Sequence, residues 1–548
     1  MKDTISALQT ARRAYQPRLP KSLEGVTEIV EDIQPAAPKD GEEIKKLFPH
    51  TYGMPLLKLA QGGTETNRHK MNVGILLSGG PAPGGHNVIA GLYDGLKRLN
   101  PENKLFGFIM GSGGLVDHHY KELTGELIDQ YRNMGGFDMI GTGRTKLDKP
   151  EQFEKGLEIM RKLDLKALVI VGGDDSNTNA AVLAEYYAAH HAGVQIIGCP
   201  KTIDGDLKNE VIEASFGFDT ACKTYSEIVG TIMRDSESTR KYWHFIKLMG
   251  RAASHITLEC ALQTHPNVCI ISEEIAEKGL TLEDIVDYIA RVVADRAARG
   301  MNFGTVLIPE GLIEFIPSVK SLISELNDLL VSKSFSVLSE FEQYEWVLAH
   351  LSIENAVVYK SLPDIIALQL IKDRDPHGNV FVSGIETDRL LSSMVGEKLT
   401  QWKSEGRYAG KYVAQHHFLG YEGRCGFPSN YDANYCYALG HTSAQLIAAG
   451  KSGYMAIVRN TIAPVEEWVA GGAPLSMMLN MEHRKGKDCP VIRKAMVDLN
   501  GKPFQSFASQ RDHWASDTDF AYPGPIQYFG PSELCDKPTI TLALEHSK

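Results

Sequence analysis

The 548-residue chain has no apolar run approaching the about 18 residues that a membrane-spanning helix needs, so a helical membrane span is excluded. Its first residues, Met1-Lys2-Asp3-Thr4-Ile5-Ser6-Ala7-Leu8, contain no continuous apolar segment of the secretory type, and the expected location is the cytoplasm. Cysteine is scarce. The eight, at Cys199, Cys222, Cys260, Cys269, Cys425, Cys436, Cys489 and Cys535, include no CxxC and no compact framework, which excludes a disulfide scaffold and a cysteine zinc site and leaves reduced thiols, chiefly in the core. Basic charge is also short. With 57 Lys and Arg against 68 Asp and Glu the net charge is -11, so neither nucleic acid nor a membrane surface is an expected partner, and any site for an anionic metabolite must be built locally.

Other absences narrow the chemistry. Neither GxGxxG nor GxxxxGK[ST] occurs; Gly450-Lys451-Ser452 resembles the end of a P-loop, but Gln445 stands where its first glycine belongs, on what reads as a helix from Ser443 to Ala449. The adjacent His416 and His417 have no third ligand at a metal-binding spacing, and no repeat of solenoid or propeller period is present. The length suggests about two to four domains with ample core.

What is present is concentrated between Leu165 and Asp206. An apolar strand, Leu165 to Val171, runs into Gly172-Gly173-Asp174-Asp175-Ser176-Asn177; a helix follows, then a second apolar run from Val194 to Ile197 and the loop Pro200-Lys201-Thr202-Ile203-Asp204-Gly205-Asp206. Both loops follow strand C-termini, where open α/β sheets place their ligand crevice, so four carboxylates and a lysine are expected at one mouth. Upstream, Val73 to Leu77 is a buried strand leading through Ser78-Gly79-Gly80-Pro81-Ala82-Pro83-Gly84-Gly85 into a helix from Val88 to Leu99. Backbone N–H groups of such a turn can hold a phosphate, although an ordinary strand-to-helix turn also fits the spacing.

A short strand at Met139-Ile140 is expected to lead into Gly141-Thr142-Gly143-Arg144-Thr145-Lys146, a loop with two cations. The alternation from Val73 to about Thr220 predicts a parallel, doubly wound sheet. A second α/β domain is predicted from Phe245 to Leu248, followed by Met249-Gly250-Arg251, and from Thr305 to Ile308, followed by Pro309-Glu310-Gly311. Between 315 and 405 the pattern turns helical, with Ile316, Val319, Leu322, Ile323, Leu326 and Leu330 on one face. Residues 1–70, with a short helix over Ile5 to Tyr15 and then Pro17, Pro20, Pro35, Pro38 and Asp40, are expected to be an extension wrapped on the surface. After Gly420-Tyr421-Glu422-Gly423-Arg424 comes a helix from Tyr431 to Ala449; the tail from Ile462 mixes strand and loop.

Gly79-Gly80, Gly141 to Arg144, Gly172 to Asp175, Pro200 to Asp206, Met249 to Arg251, Pro309-Glu310 and Gly423-Arg424 stand in the order of the phosphofructokinase family, which the chain resembles from about Val73 to Asn460. Within it, GGDD followed by PKTIDGD looks like the pyrophosphate-dependent branch; ATP-dependent bacterial members are similar but have GGDGS and PGTIDND, which differ at Asp175 and Lys201. Chain length, extension and helical insertion resemble the long form. The resemblance implies two Rossmann-like α/β domains: 71–220 completed by 430–548 for pyrophosphate and Mg²⁺, and 221–314 completed by 406–429 for the sugar phosphate, with 315–405 inserted. It implies reversible transfer of a phosphoryl group from pyrophosphate to the 1-hydroxyl of fructose 6-phosphate.

Residue by residue, Asp204 resembles the base for the sugar hydroxyl, supported by Asp206, and Arg251 the cation at the developing phosphoryl charge. Asp174 resembles the Mg²⁺ residue. Gly79, Gly80, Arg144 and Lys201 would take pyrophosphate, while Asp175 and Lys201 set donor choice. Thr202, Met249, Gly250, Glu310, Tyr421 and Arg424 match sugar-phosphate contacts, with Tyr421 departing from the histidine of ATP-dependent bacterial enzymes. Lys241 stands beside the position where those enzymes supply an arginine across a subunit boundary, which implies a homodimer with shared active sites. An ATP-dependent kinase and a non-catalytic sugar-phosphate-binding subunit are the alternatives; the intact Asp174, Asp204, Asp206 and Arg251 disfavour the second.

Overall fold

A computed structural model of the chain describes residues 5–25, 27–33, 40–62, 69–330, 339–372, 380–484 and 487–547. Pro35 and Pro38 lie outside the described residues. In chain order the strands are β1 Thr27–Glu31, β2 Leu57–Gln61, β3 Asn72–Leu77, β4 Lys104–Phe108, β5 Tyr120–Glu122, β6 Leu165–Gly172, β7 Gln195–Thr202 and β8 Phe216–Gly217. They continue with β9 Trp243–Leu248, β10 Val268–Cys269, β11 Gly304–Pro309, β12 Ala414–Leu419, β13 Tyr454–Arg459, β14 Val469–Pro474, β15 Leu479–Arg484 and β16 Lys487–Ile492.

The chain divides into two compact units, one of Met1–Thr224, Tyr421–Ala495 and Ile526–Lys548, the other of Tyr225–Gly420 and Met496–Pro525. In the first, the large sheet has the order β1-β2-β14-β13-β7-β6-β3-β4-β5, with β8 paired to β7. Its centre, β13 through β4, is parallel, and antiparallel strands flank it on both sides. Strand β6 is buried at every position but Lys166, as expected of a parallel strand covered on both faces. Taken in chain order, β4-β3-β6-β7-β13 is the doubly wound order 2-1-3-4-5, whose direction of winding reverses between β3 and β6. The two glycine turns therefore leave the sheet at the reversal, which is why the site is found there.

The second unit carries a parallel sheet of order β10-β11-β9-β12. The helical stretch 315–405 belongs to its core: Leu322, Leu390, Leu391 and Val395 pack in one apolar cluster with Trp243, Phe245, Val306 and Ile308 of the strands. An apolar helix face so continuous cannot be left in solvent, and the sheet face is what buries it.

Four expectations are corrected. The extension does more than wrap the surface, because β1 and β2 extend the large sheet through β14, with Leu57 and Leu59 buried. Met139-Ile140 forms a buried turn, and the segment after it meets the sheet through an isolated bridge between Ser78 and Gly143 rather than as a strand. Residues 421–429 fall in the first unit, where the Ser429 N–H donates to Thr220 Oγ1 (3.0 Å) and its hydroxyl to Asp219. Residues 496–525 fall in the second, held by hydrogen bonds from Asn267 to Trp514 O (2.8 Å) and from Arg296 to Asp517 O (2.9 Å). Gly450-Lys451-Ser452 is the turn that ends the helix Asn430–Ala448, with Gly450 at φ 72°, and Ser452 Oγ accepts from Ile196 N–H, so it is no P-loop.

Candidate active site

In the first unit, β3 ends on a turn built to expose backbone. Gly79 has φ 83°, and its N–H donates to Gly143 O (3.0 Å), while the Thr142 hydroxyl donates to Gly79 O (2.7 Å). The Ser176 hydroxyl donates to that of Ser78 (2.9 Å), tying this turn to the one after β6. The helix Gly85–Leu99 then begins at Gly84, φ 111°, with no side-chain cap on its N-terminal N–H groups. A Cβ at Gly84 would stand 2.3 Å from Cys436 Sγ, so only glycine fits. A glycine turn ahead of an uncapped helix N-terminus is a ready anion cradle.

Two cations close on that turn. A Cβ on Gly79 would lie 3.1 Å from Lys201 Nζ, and one on Gly80 would lie 3.6 Å from the Arg424 guanidinium carbon. Arg424 also lies over the Tyr421 ring, 4.7 Å from its centroid, and Tyr421 itself is 70% exposed in the short 3₁₀ turn Tyr421–Gly423. Burial pulls the Lys201 ammonium down to about 8 and Arg424 adds to the shift, against the opposing pull of Asp204, Asp174 and Asp206. The shift is chiefly the cost of burying the charge, which a phosphate bound at the ammonium would offset. Arg144 follows Gly143 and is exposed.

The carboxylates stand at the ends of β6 and β7. The helix Asp174–Ala189 starts directly after Gly173, placing Asp174 and Asp175 in its first turn, and Asn177 braces the turn by donating to Gly172 O (2.6 Å). In the β7 loop the Asp204 N–H donates to Thr202 Oγ1 (3.1 Å) and Gly205 takes φ 73°, folding Asp206 back to a buried position. Burial raises the Asp174 carboxyl above its ordinary range and Asp175 and Asp206 add to this, while Lys494 opposes it.

Lys494 is the residue that motif reasoning missed. Its Nζ lies 3.2 Å from Asp206 Oδ2 and 4.0 Å from Asp174 Oδ2. Burial works against this ammonium, but Asp206, Asp174 and Asp204 outweigh it and hold its pKa above the ordinary lysine value. The β15–β16 hairpin delivers it: Ile492 N–H donates to Thr178 Oγ1 (3.0 Å) and Ala495 N–H to Asp206 O (2.7 Å). Nothing in the sequence around Arg493-Lys494 marks it beyond a lysine following a strand.

Among the described residues no group of three or more His, Cys, Asp or Glu is arranged to hold a metal ion. A site with one or two carboxylates, its other positions left to water and substrate phosphate, is nonetheless what Mg²⁺ takes, and Asp174 with Asp206 as hard oxygen donors fits that pattern.

In the second unit, β9, β11 and β12 end side by side. Gly250, φ 118°, donates its N–H to the buried Glu310 carboxylate (3.2 Å), whose own N–H donates to Leu248 O (2.9 Å). Met249 is buried, its N–H donating to Leu419 O (3.1 Å), and the Tyr225 hydroxyl donates to Gly420 O. Arg251 makes a two-point ion pair with Glu314, at 2.9 and 3.3 Å, another partner the motifs did not reveal. With side chains 40% and 28% exposed, such a pair is worth about 0–1 kcal/mol, so exchange of Glu314 for a phosphate oxygen costs little. Lys241 is exposed, with no hydrogen bond or ion pair to a described residue. Thus the structure gathers Gly79, Gly80, Asp174, Lys201, Asp206 and Arg424 in one unit, and Met249, Gly250, Arg251 and Glu310 in the other.

Comparison with known proteins follows the same lines. The family model described as Phosphofructokinase matches residues 72–447. A pyrophosphate–fructose 6-phosphate 1-phosphotransferase of Porphyromonas gingivalis is 61% identical over 542 residues, 98% of this chain and 99% of that one. The protein of the same description from Entamoeba histolytica is 52% identical over 99% of this chain and 100% of its own. Among solved structures, a pyrophosphate-dependent phosphofructokinase from Nitrosospira multiformis has the same fold, with TM-score 0.54 and 16% identity over 82% of this chain and 93% of that one.

Proposed function

Because this chain belongs to the phosphofructokinase family, we infer that it transfers a phosphoryl group from pyrophosphate to the 1-hydroxyl of fructose 6-phosphate, giving fructose 1,6-bisphosphate and phosphate. Its relatives at 61% and 52% identity over nearly their whole length carry that activity in their descriptions. The observation that carries the donor assignment is Lys201, whose buried ammonium sits on the Gly79 turn where a compact, highly charged donor needs a point charge. Pyrophosphate and the 1-phosphate ester of fructose 1,6-bisphosphate being phosphoryl donors of similar energy, the transfer runs in either direction, in glycolysis or gluconeogenesis.

Gly79 and Gly80 shape the cradle for a pyrophosphate phosphate, Gly79 through its left-handed turn because its N–H is already given to Gly143 O, with Lys201 and Arg144 as the cations. Asp175 places a carboxylate where a nucleotide's α-phosphate would come and so excludes ATP by bulk and like charge. Asp204 takes the proton of the sugar 1-hydroxyl during attack, a step typically worth about 10²- to 10⁴-fold in rate, and Asp206 supports it. Arg251 leaves Glu314 to bridge oxygens of the transferring group, to which Thr202 donates a hydrogen bond. Met249, the Gly250 backbone and Glu310 receive the fructose hydroxyls; Tyr421, Arg424 and Lys241 receive the 6-phosphate, Lys241 across a homodimer contact. Asp174 would hold Mg²⁺, which when bound neutralises phosphate charge. The enzyme works in the cytoplasm; no helix among the described residues is long and apolar enough to cross a membrane.

The test is an aldolase-coupled assay of the purified protein with fructose 6-phosphate, Mg²⁺ and either pyrophosphate or ATP. Turnover with pyrophosphate is expected; turnover with ATP alone, or none with either, would refute the assignment.

A further inference from the structure

Lys494 lies outside every motif that carries the reaction, two residues beyond the end of β16, yet its Nζ stands 3.2 Å from Asp206 Oδ2 and 4.0 Å from Asp174 Oδ2.

 Backbone contacts fix it there, since the Ala495 N–H donates to Asp206 O (2.7 Å) and β16 is paired along β15. Its side chain is 38% exposed, whereas that of Asp206 is 5% exposed. One ammonium thus faces two carboxylates on its buried side and solvent on the other, and the N–H used on Asp206 leaves donors for an anion arriving from solvent.

We propose that Lys494 is a further donor-side residue of this site, balancing the Asp174 and Asp206 carboxylates and binding a pyrophosphate oxygen directly when the donor arrives. The proposal rests on the functional assignment above and names a residue which that assignment does not contain. Two consequences of opposite sign follow from the charges alone. Against a divalent cation without pyrophosphate, Lys494 is a competitor, because it occupies the same carboxylates. Toward pyrophosphate without metal it is a ligand, supplying a charge-assisted hydrogen bond.

Lys494→Met keeps the stem and removes the charge, and Lys494→Arg keeps the charge. Mn²⁺ binding followed by electron paramagnetic resonance, without pyrophosphate, is expected to tighten about tenfold in Lys494→Met. Pyrophosphate binding followed by calorimetry, without metal or fructose 6-phosphate, is expected to weaken about tenfold or more. Lys494→Arg should restore both toward the wild type, and under turnover Lys494→Met should raise the pyrophosphate KM while leaving that for fructose 6-phosphate within about twofold. Unchanged pyrophosphate binding in Lys494→Met would overturn the proposal. So would weaker binding of both ligands without rescue by arginine, which marks a merely structural role. Because neither binding arm needs turnover, a wild type that binds pyrophosphate without transferring phosphate would sink the functional assignment while the Lys494 result still stood.

Discussion

The Lys201 ammonium lies 3.1 Å from the point where a Cβ on Gly79 would stand, so a buried cation closes directly on a glycine held at φ 83°. Both features resist a side chain at this position: the left-handed backbone is strained for an L residue, and the lysine head must shift. Gly79→Ala should raise the pyrophosphate KM about tenfold or more and leave the fructose 6-phosphate KM within about twofold, as read by initial rates with each substrate varied.

The same lysine predicts a pH dependence. Burial lowers it from its ordinary 10.5 to about 8, so between those values the unfolded chain binds more protons than the ligand-free folded one. Stability of the ligand-free protein therefore gains from this group as pH rises from 8 toward 10.5. Pyrophosphate binding runs the other way, since it needs the ammonium: affinity should fall by up to roughly tenfold per pH unit above 8. Calorimetric titrations of wild type and Lys201→Met from neutral to alkaline pH separate this from the titration of pyrophosphate itself, which both proteins share. Parallel curves would remove Lys201 from the binding step.

Asp175 opens the helix Asp174–Ala189 next to the glycine turn of β6, and its carboxylate is assigned the exclusion of ATP. Asp175→Gly should raise the ratio of ATP-dependent to pyrophosphate-dependent kcat/KM by at least tenfold, because it removes both bulk and like charge. An unchanged donor ratio would contradict that role.

Asp204→Ser removes the assigned base and leaves Thr202, whose hydroxyl accepts the Asp204 N–H, in place. The expected outcome is a kcat lower by about 10²- to 10⁴-fold with both KM values little changed, checked by steady-state kinetics in the forward and reverse directions.

Much of this site was legible in the sequence because it is made of local devices. Gly79-Gly80 and Gly172-Gly173 stand between a continuous apolar strand and a helix, and such a turn reads directly as backbone exposed at a strand end. Asp174, Lys201 and Asp206 follow from the same local pattern, once parallel strands are placed side by side. Lys494 and Glu314 were not legible, since each meets its partner through tertiary packing and neither carries a motif. The same distinction explains the boundaries. Leu57 and Leu59 alternate with Lys58 as a half-buried strand should, but only the pairing of β2 with β14 shows that the extension joins the sheet. Residues 496–525 belong with the second unit through Asn267 and Arg296, contacts that no periodicity in the tail announces.

The donor assignment is tested most directly by ³¹P NMR of the protein with Mg²⁺, fructose 6-phosphate and equal concentrations of pyrophosphate and ATP in one tube. The account predicts that the pyrophosphate signal is consumed, inorganic phosphate and the 1-phosphate of fructose 1,6-bisphosphate appear, and the three ATP signals persist. Loss of the ATP γ-phosphate signal with appearance of ADP, pyrophosphate remaining, would contradict it.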